Sequence, residues 1–419
     1  MALLPVSAVV DEVLAALQSA AQVMLHAPTG AGKSTWLPLE ILRRGGLAGK
    51  VVMLEPRRLA EQLGERPGQT VGYRMRNESR CGPMTRLEVV TEGILTRQLQ
   101  QDPTLDGVSL VILDEFHERS LQADLALALL LDVQRGLRDD LVVLIMSATL
   151  DDRRLSQLLP EAPVIRSAGR SYPVERRYQA LPAQTRPEEA TAGAVQQLLR
   201  QQPGSLLLFL PGVAEIKRVQ GLLGERVAAD VLLCPLYGAL SLEAQQRAIQ
   251  PAPAGRRKVV LATNIAETSL TIEGIRLVVD SGLERVAEFD PRSGLSRLIT
   301  RRISQASMAQ RAGRAGRLSA GVCLHLFSQE QGARAPEHHA PEITYADLAP
   351  LWLELLQWGV RESGQLTWLD APPAPALAAA VDNLTGLGAI DARQNLTPAG
   401  RAAGGHDRGA AQERLAGYP

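Results

Sequence analysis

A glycine-rich segment near the start of the chain carries the residue types needed to hold a triphosphate. It reads A-P-T-G-A-G-K-S-T at 27–35 and follows a short apolar run at 23–26. Gly30 and Gly32 permit positive φ, so successive backbone N–H groups can converge on an anion at the start of a helix. Lys33 is expected to reach the β- and γ-phosphates, and Ser34 to offer its hydroxyl to Mg²⁺. The predicted nucleotide-binding residues of this loop are Thr29, Gly30, Ala31, Gly32, Lys33, Ser34 and Thr35.

A second segment, L-D-E-F-H-E-R at 113–119, delivers two carboxylates to the end of an apolar run. The carboxyl ends of parallel strands are where such sheets place ligand chemistry. We expect Asp114 to hold Mg²⁺, directly or through water. Glu115 is expected to orient and deprotonate the attacking water, since hydrolysis needs a base within hydrogen-bond reach. The alternative is a solvated acidic loop.

A third segment, Q-R-A-G-R-A-G-R at 310–317, lies almost the whole chain away and is positively charged. Arg314 and Arg317 are candidates for arginine fingers that stabilise charge on the transferred phosphoryl group. Gln310 is expected to hold the attacking water. The alternative is an arginine-rich helical turn that meets solvent or RNA phosphates. The phosphate loop and this arginine segment could act on one nucleotide only in a fold that brings two distant halves of the chain together.

The elements expected to position these residues are short β-branched strands that alternate with helices, a pattern typical of parallel sheets with crossover helices. Two such α/β units in tandem are predicted, joined near 168–183. The predicted domains are 1–167 with the phosphate loop, 168–340 with the arginines, 341–402 as a small helical, winged-helix-like domain, and 403–419 as a truncated or flexible tail. The predicted strands are 23–26, 51–55, 87–90, 110–114 and 141–146 in the first unit, and 206–210, 231–234, 258–262, 276–280 and 322–327 in the second.

In combination these motifs resemble those of the DEAH-box helicases of superfamily 2, over about residues 5–400. The resemblance implies two RecA-like domains followed by a winged helix, and ATP hydrolysis with Mg²⁺. It also implies movement 3′-to-5′ on RNA. E-P-R-R-L-A at 55–60 and T-E-G-I-L at 91–95 look like nucleic-acid motifs, and A-T-N-I-A-E-T-S-L-T-I at 262–272 resembles the motif that touches both strand and nucleotide. By this resemblance the nucleic-acid contacts are Arg57, Arg58, Thr91, Thr263 and Asn264, the further nucleotide contacts are Thr268 or Ser269, and His117 links the nucleotide site to the second domain.

The same resemblance implies a hairpin near 284–303 that separates duplex strands, although a surface hairpin without this role is the alternative. S-A-T at 147–149 resembles the motif that couples hydrolysis to domain movement.

The chain departs from the family pattern in two places. It reaches Gly64 and Pro67 soon after 55–60, and it has no aromatic residue between Tyr237 and Phe289. We therefore expect a loose preference among NTPs. The family's further C-terminal domain does not follow, and an incomplete sequence is expected.

Composition narrows the class of protein. The 419 residues carry 45 basic and 45 acidic side chains, so any polyanion contact must be local rather than spread over a basic surface. Seven arginines and no acidic residue lie between 292 and 317. Three separate cysteines favour a reducing cytoplasm, and no apolar run is long enough for a membrane span. Because aromatic residues make up only 3%, we expect sequence-independent binding of single-stranded RNA or DNA through phosphate and sugar.

Three functions remain open from sequence. The first is an NTP-dependent helicase or translocase. The second is an ATPase switch that remodels a protein complex independently of nucleic acid, and the third is a scaffold with a structural nucleotide site. The set of Lys33, Glu115 and Arg314 argues against a scaffold, because a structural site needs neither a base nor a finger.

Overall fold

The computed structural model describes residues 4–54, 65–75, 78–148, 152–169, 172–267 and 272–404. Their backbone contacts divide the chain into two compact units. Unit 1 comprises Met1–Gly169, Ala287–Arg297 and Ala340–Pro419, and unit 2 comprises Arg170–Val286 and Leu298–His339. The segment predicted as a separate domain, 341–402, is counted with unit 1, and its independence stays a prediction.

Unit 1 contains an eight-stranded sheet in the order β4-β3-β5-β2-β6-β7-β1-β8. All neighbouring strands are parallel except β3 and β4. The strands are β1 Gln22–His26, β2 Lys50–Leu54, β3 Val71–Met75, β4 Glu78–Arg80, β5 Leu87–Val90, β6 Val108–Leu113, β7 Val142–Ser147 and β8 Val164–Arg166. The α-helices around this sheet are α1 Val10–Ser19, α2 Leu37–Arg44, α3 Glu92–Gln101, α4 Leu121–Gly136 and α5 Asp152–Leu158.

Unit 2 contains a six-stranded parallel sheet in the order β11-β12-β10-β13-β16-β9. A two-stranded hairpin, β14-β15, begins and ends in unit 2, and its tip, Ala287–Arg297, is counted with unit 1. The strands are β9 Val174–Tyr178, β10 Ser205–Phe209, β11 Val231–Leu236, β12 Arg257–Ala262, β13 Ile275–Asp280, β14 Leu283–Asp290, β15 Leu295–Arg302 and β16 Gly321–His325. The helices are α6 Pro187–Gln201, α7 Val213–Gly224, α8 Leu242–Ile249, α9 Gln305–Gly313 and α10 Gln329–Ala333. The predicted class, two tandem RecA-like α/β domains, is confirmed, as is the hairpin as an element.

The chain after residue 340 is helical. It contains α11 Ala349–Trp358, α12 Ala374–Gly386 and α13 Pro398–Gly404, with one antiparallel bridge between Ile390 and Leu396. Leu351 and Leu355 of α11 belong to the same apolar cluster as α4. Because α4 is covered by these residues as well as by the sheet, it is apolar around most of its circumference.

The order of strands brings the motif-bearing loops of unit 1 to one edge. Ser147 at the end of β7 pairs with His26 at the end of β1, and Leu113 at the end of β6 pairs with Ile145 of β7. The phosphate loop, the acidic segment and S-A-T therefore leave three adjacent strands on the same side of the sheet. Of the helices in the described residues, none combines the length and the apolar character that a bilayer span requires.

Candidate active site

The phosphate loop presents a row of open backbone donors. Gly30 and Gly32 have φ of 86° and 92°, in the left-handed region that glycine adopts without steric cost. Ala27 N–H donates to the Ser147 carbonyl and Ala31 N–H to the Pro28 carbonyl, which anchor the loop. Within the described residues, the backbone N–H groups of 29, 30 and 32–35 donate to no protein acceptor. Such a concave set of donors fits an anion. The helix expected directly after the loop begins at Leu37.

Lys33 holds the two carboxylates of the acidic segment. Its Nζ lies 3.3 Å from Asp114 Oδ1 and also bonds Glu115 Oε1. All three side chains are nearly inaccessible to solvent, with exposures of 3%, 1% and 9%. Burial alone would lower the pKa of Lys33, but the attraction of Asp114 and Glu115 raises it above its usual value. The lysine is therefore a fixed positive charge, and the predicted proximity of these three residues is present in the structure.

The Asp114 carboxylate is fit to hold a cation. Desolvation raises its pKa, while Lys33 opposes that shift and the Ser34 hydroxyl and the Glu115 N–H hydrogen-bond to the carboxylate. Asp114 Oδ2 and Ser147 Oγ are buried and bond no other described residue. Buried polar atoms are almost always satisfied, so two such oxygens at adjacent strand ends indicate a place for a metal ion and its water. Ser34 and Asp114 are the residues predicted to bind Mg²⁺, and this assignment stays a prediction; Ser147 was not assigned this role from sequence.

The acidic loop has a strained backbone around Glu115. Glu115 and Arg119 have φ of 52° and 48°, and they flank the 3₁₀ turn Phe116–Glu118. A non-glycine residue in this region costs on the order of 1–3 kcal/mol, and such strain concentrates at functional sites. His117 Nδ1 accepts the Ala148 N–H at 3.3 Å, so a neutral ring carries its proton on Nε2, which lies 3.4 Å from Glu115 Oε2. His117 thus bonds the S-A-T segment through Ala148 and lies beside Glu115.

The predicted nucleic-acid residues that the structure describes lie beyond strand ends. Thr91 is exposed after β5 in unit 1. Thr263 is half-buried and Asn264 is exposed after β12 in unit 2. Arg57, Arg58, Thr268 and Ser269 lie outside the described residues.

The three arginines of the third segment have different environments within unit 2. Arg311 is fully buried and pairs with Glu267 and Asp280, each at 2.9 Å. Its guanidinium carbon lies 4.8 Å from the centre of the Phe209 ring. Asp280 also bonds His325 Nδ1 at 3.1 Å. Burial would raise the pKa of Asp280, but Arg311 and His325 lower it below its usual value. This network fastens α9 to the segment at 263–267.

Arg314 and Arg317, the candidate arginine fingers, follow Arg311 in the chain. Arg314 is 4% exposed, and its Nε donates to the Glu267 carbonyl at 2.9 Å. Gln310 and Arg317 are half-buried. Arg311 and Arg314 are therefore both buried and bonded within unit 2, whereas Arg317 is half-buried.

The hairpin β14-β15 projects apolar and basic side chains. Leu295 and Leu298 are 64% and 73% exposed, and Arg292 and Arg297 are also exposed. Asp290 orders the turn by accepting bonds from Arg292 N–H and the Ser293 hydroxyl.

Comparisons with known proteins agree with these observations. The family model described as "DEAD/DEAH box helicase" matches residues 7–158, and "Helicase conserved C-terminal domain" matches residues 190–319. Together they match about two thirds of the chain.

Curated relatives extend the likeness. The chain is 65% identical over 400 residues to "ATP-dependent RNA helicase HrpB" of Escherichia coli K12, covering 93% of this chain and 49% of that protein. It is 37% identical over 417 residues to the fission yeast Schizosaccharomyces pombe "Pre-mRNA-splicing factor ATP-dependent RNA helicase prp22", covering 95% and 36%. A crystal structure of Escherichia coli "DEAH/RHA helicase HrpB" superposes with a TM-score of 0.93 at 62% identity, covering 99% of this chain and 54% of that one. The chain spans about half the length of the HrpB relative, and less of prp22.

Proposed function

The chain belongs to the DEAD/DEAH box helicase family, and we propose that it hydrolyses ATP to drive movement along single-stranded nucleic acid. The observation that carries this proposal is the cluster of Lys33, Asp114 and Glu115 beside a loop of open N–H donors. A buried cation, a metal-holding carboxylate and a base at the same strand ends are the parts that phosphoryl transfer to water requires.

In this function, the phosphate loop binds the triphosphate through its backbone donors and Lys33. When Mg²⁺ is bound, it neutralises charge on the phosphate oxygens, and Ser34 and Asp114 are the residues that hold it. Glu115 accepts the proton of the attacking water. His117 lies beside Glu115, with its Nε2 3.4 Å from the second Glu115 oxygen.

From unit 2, we assign Gln310 to holding the attacking water and Arg314 and Arg317 to stabilising the transition state. Arginine fingers of this kind change rates by about 10³–10⁵. Ser269 is assigned to the nucleotide. These roles come from the family motifs. Arg314 Nε donates to the Glu267 carbonyl at 2.9 Å, beside the segment that also carries Thr263 and Asn264.

The strand contacts are Arg57, Arg58, Thr91, Thr263 and Asn264. Guanidinium, hydroxyl and amide groups bind phosphate and sugar without reading bases, so binding is independent of sequence. The names of the relatives specify RNA, and we propose single-stranded RNA as the substrate, with 3′-to-5′ movement.

The deciding experiment measures the ATPase rate with poly-RNA, with single-stranded DNA, and without polymer. We expect stimulation by RNA. Hydrolysis without stimulation by either polymer would favour the ATPase switch, and stimulation by DNA alone would reassign the substrate. GTP and CTP replace ATP in a parallel series, and equal rates would support the expected loose NTP preference.

A further inference from the structure

Arg119 ends the acidic loop, and its side chain bonds two carboxylates. Its Nε and Nη2 donate to the two oxygens of Asp124 at 2.9 Å each, and Nη2 also donates to Asp370 at 2.7 Å. The guanidinium carbon lies 5.9 Å from the centre of the Phe116 ring, in the middle of the loop. Arg119 and Asp370 are only 12% and 13% exposed in their side chains. A bidentate, largely desolvated arginine of this kind fixes geometry as well as charge.

The backbone next to Arg119 is held from the same distant segment. Glu342 N–H donates to the Arg119 carbonyl at 3.0 Å, and the Glu342 carboxylate accepts the Leu121 N–H at 2.7 Å. Glu342 and Asp370 therefore bind both the main chain and the side chain at the end of the loop. They lie more than 200 residues away in sequence.

Asp370 also contacts the helix that follows S-A-T. Arg154 of α5 bonds the other Asp370 oxygen. One carboxylate thus bridges the residue after the acidic motif and the helix after the coupling motif. No motif that carries the proposed function includes Asp370 or Glu342.

We infer that Asp370 and Glu342 are positioning residues that hold the acidic loop, through Arg119, in the strained conformation that presents Glu115. The inference rests on the proposed ATPase function. Glu115 and Arg119 both have a left-handed backbone conformation. Non-glycine residues keep this conformation only where several surrounding contacts fix it. The side-chain and main-chain bonds to Arg119 supply that restraint at one end of the loop.

The experiment measures kcat, KM and nucleotide Kd of the whole chain with saturating poly-RNA for D370N, E342Q and D370E. D382N serves as the matched control, because Asp382 is an exposed carboxylate on α12 of the same segment. We expect D370N and E342Q to lower kcat by roughly 10- to 100-fold with unchanged nucleotide Kd, since small misplacements of a catalytic group cost rates of this size. D370E should recover part of the loss, and D382N should match the wild type.

A double-mutant cycle tests the route through Arg119. If Asp370 acts through this arginine, D370N causes no further loss of kcat in an R119A background. Additive losses, or a D370N kcat equal to that of D382N, would overturn the inference.

If D370N lowered the nucleotide affinity and the thermal midpoint together with kcat, the inference would also be wrong. That result would show that the Asp370–Arg119 bond only holds the helical segment against the rest of unit 1. Should D370N fail to fold, E342Q gives the same decision independently. An inactive wild-type protein would instead remove the proposed function on which the inference depends.

Discussion

At the scale of single residues, Glu115 is the group whose geometry makes the most specific prediction. Its Oε1 bonds Lys33 and its Oε2 faces His117 Nε2, so replacement by glutamine keeps the shape and removes the base. We expect E115Q to retain nucleotide binding and to lose kcat by about 10²- to 10⁴-fold. Fluorescent-nucleotide titration and steady-state hydrolysis check this. E161Q, the same change at an exposed position of unit 1, is the control, and retained turnover in E115Q would show that the base lies elsewhere.

Arg311 and Arg314 should respond differently although they lie three positions apart. Removing Arg311 leaves Asp280 and Glu267 as buried, uncompensated carboxylates. We expect R311A to lower the free energy of unfolding by about 3–5 kcal/mol. Urea unfolding measures it, and R334A, at an exposed arginine that follows α10, is the control. A stability of R311A equal to that of R334A would contradict this reading of the buried network.

Arg314 is buried, like Arg311, but its proposed role is in the reaction. R314A is expected to slow hydrolysis while leaving nucleotide affinity nearly unchanged, because a finger acts in the transition state. Single-turnover hydrolysis and nucleotide titration separate the two effects. An unchanged rate would make Arg314 a structural partner of the Glu267 carbonyl.

Residue types at fixed spacing sufficed to predict the cluster of Lys33, Asp114 and Glu115. Each residue follows an apolar strand, and parallel strands end at one edge. The contacts of Arg119 with Asp370 could not be predicted in this way. These contacts join positions 251 residues apart. Neither residue belongs to a sequence motif that indicates one particular function.

At the scale of elements, continuous apolar strands were predictable, whereas strands that are short or carry charged and polar residues were not. The central strands are continuous apolar runs, which is the pattern of strands buried on both faces. β9 reads V-E-R-R-Y, lies at the edge of its sheet and was interpreted as part of the join. β3, β4 and β8 were also missed.

The hairpin β14-β15 offers an element-level test through Glu284. Burial would raise the pKa of Glu284, but His339 and Arg301 lower it to about 2. His339 Nδ1 lies 3.4 Å from this carboxylate. A carboxylate with a depressed pKa stabilises the fold above its unfolded pKa, near 4.5, and loses this contribution as pH falls towards 2.

We therefore expect E284Q to destabilise unit 2 at neutral pH, and the difference from the wild type to shrink as the pH falls from about 4.5 towards 2. Unfolding curves at several pH values measure it. E288Q, on the same strand and more exposed, is the control. A difference that does not change with pH would show that packing, rather than charge, accounts for the loss.

At the scale of the whole molecule, acidic and basic side chains balance, with 45 of each, and the arginines of the basic run at 292–317 differ in exposure. Of the arginines between 292 and 317, Arg311 and Arg314 are buried, whereas Arg292 and Arg297 at the hairpin are exposed. Sequence counting alone suggested one continuous basic run. The fold divides it into a structural part and an exposed part, which limits how many phosphates this run can bind.

The salt dependence of strand binding tests that division. For single strands, the slope of log K against log salt changes by about 0.7 for each phosphate that the protein no longer neutralises. If both exposed hairpin arginines bind phosphates, R292A/R297A should reduce the slope by about 1.4, and the affinity should fall similarly for every RNA sequence. R200A, at the exposed end of α6, removes one charge outside the hairpin and should leave the slope unchanged. Fluorescence anisotropy across a salt series measures this slope. An unaltered slope in the double variant would mean that the hairpin contacts nucleic acid through Leu295 and Leu298 or does not contact it.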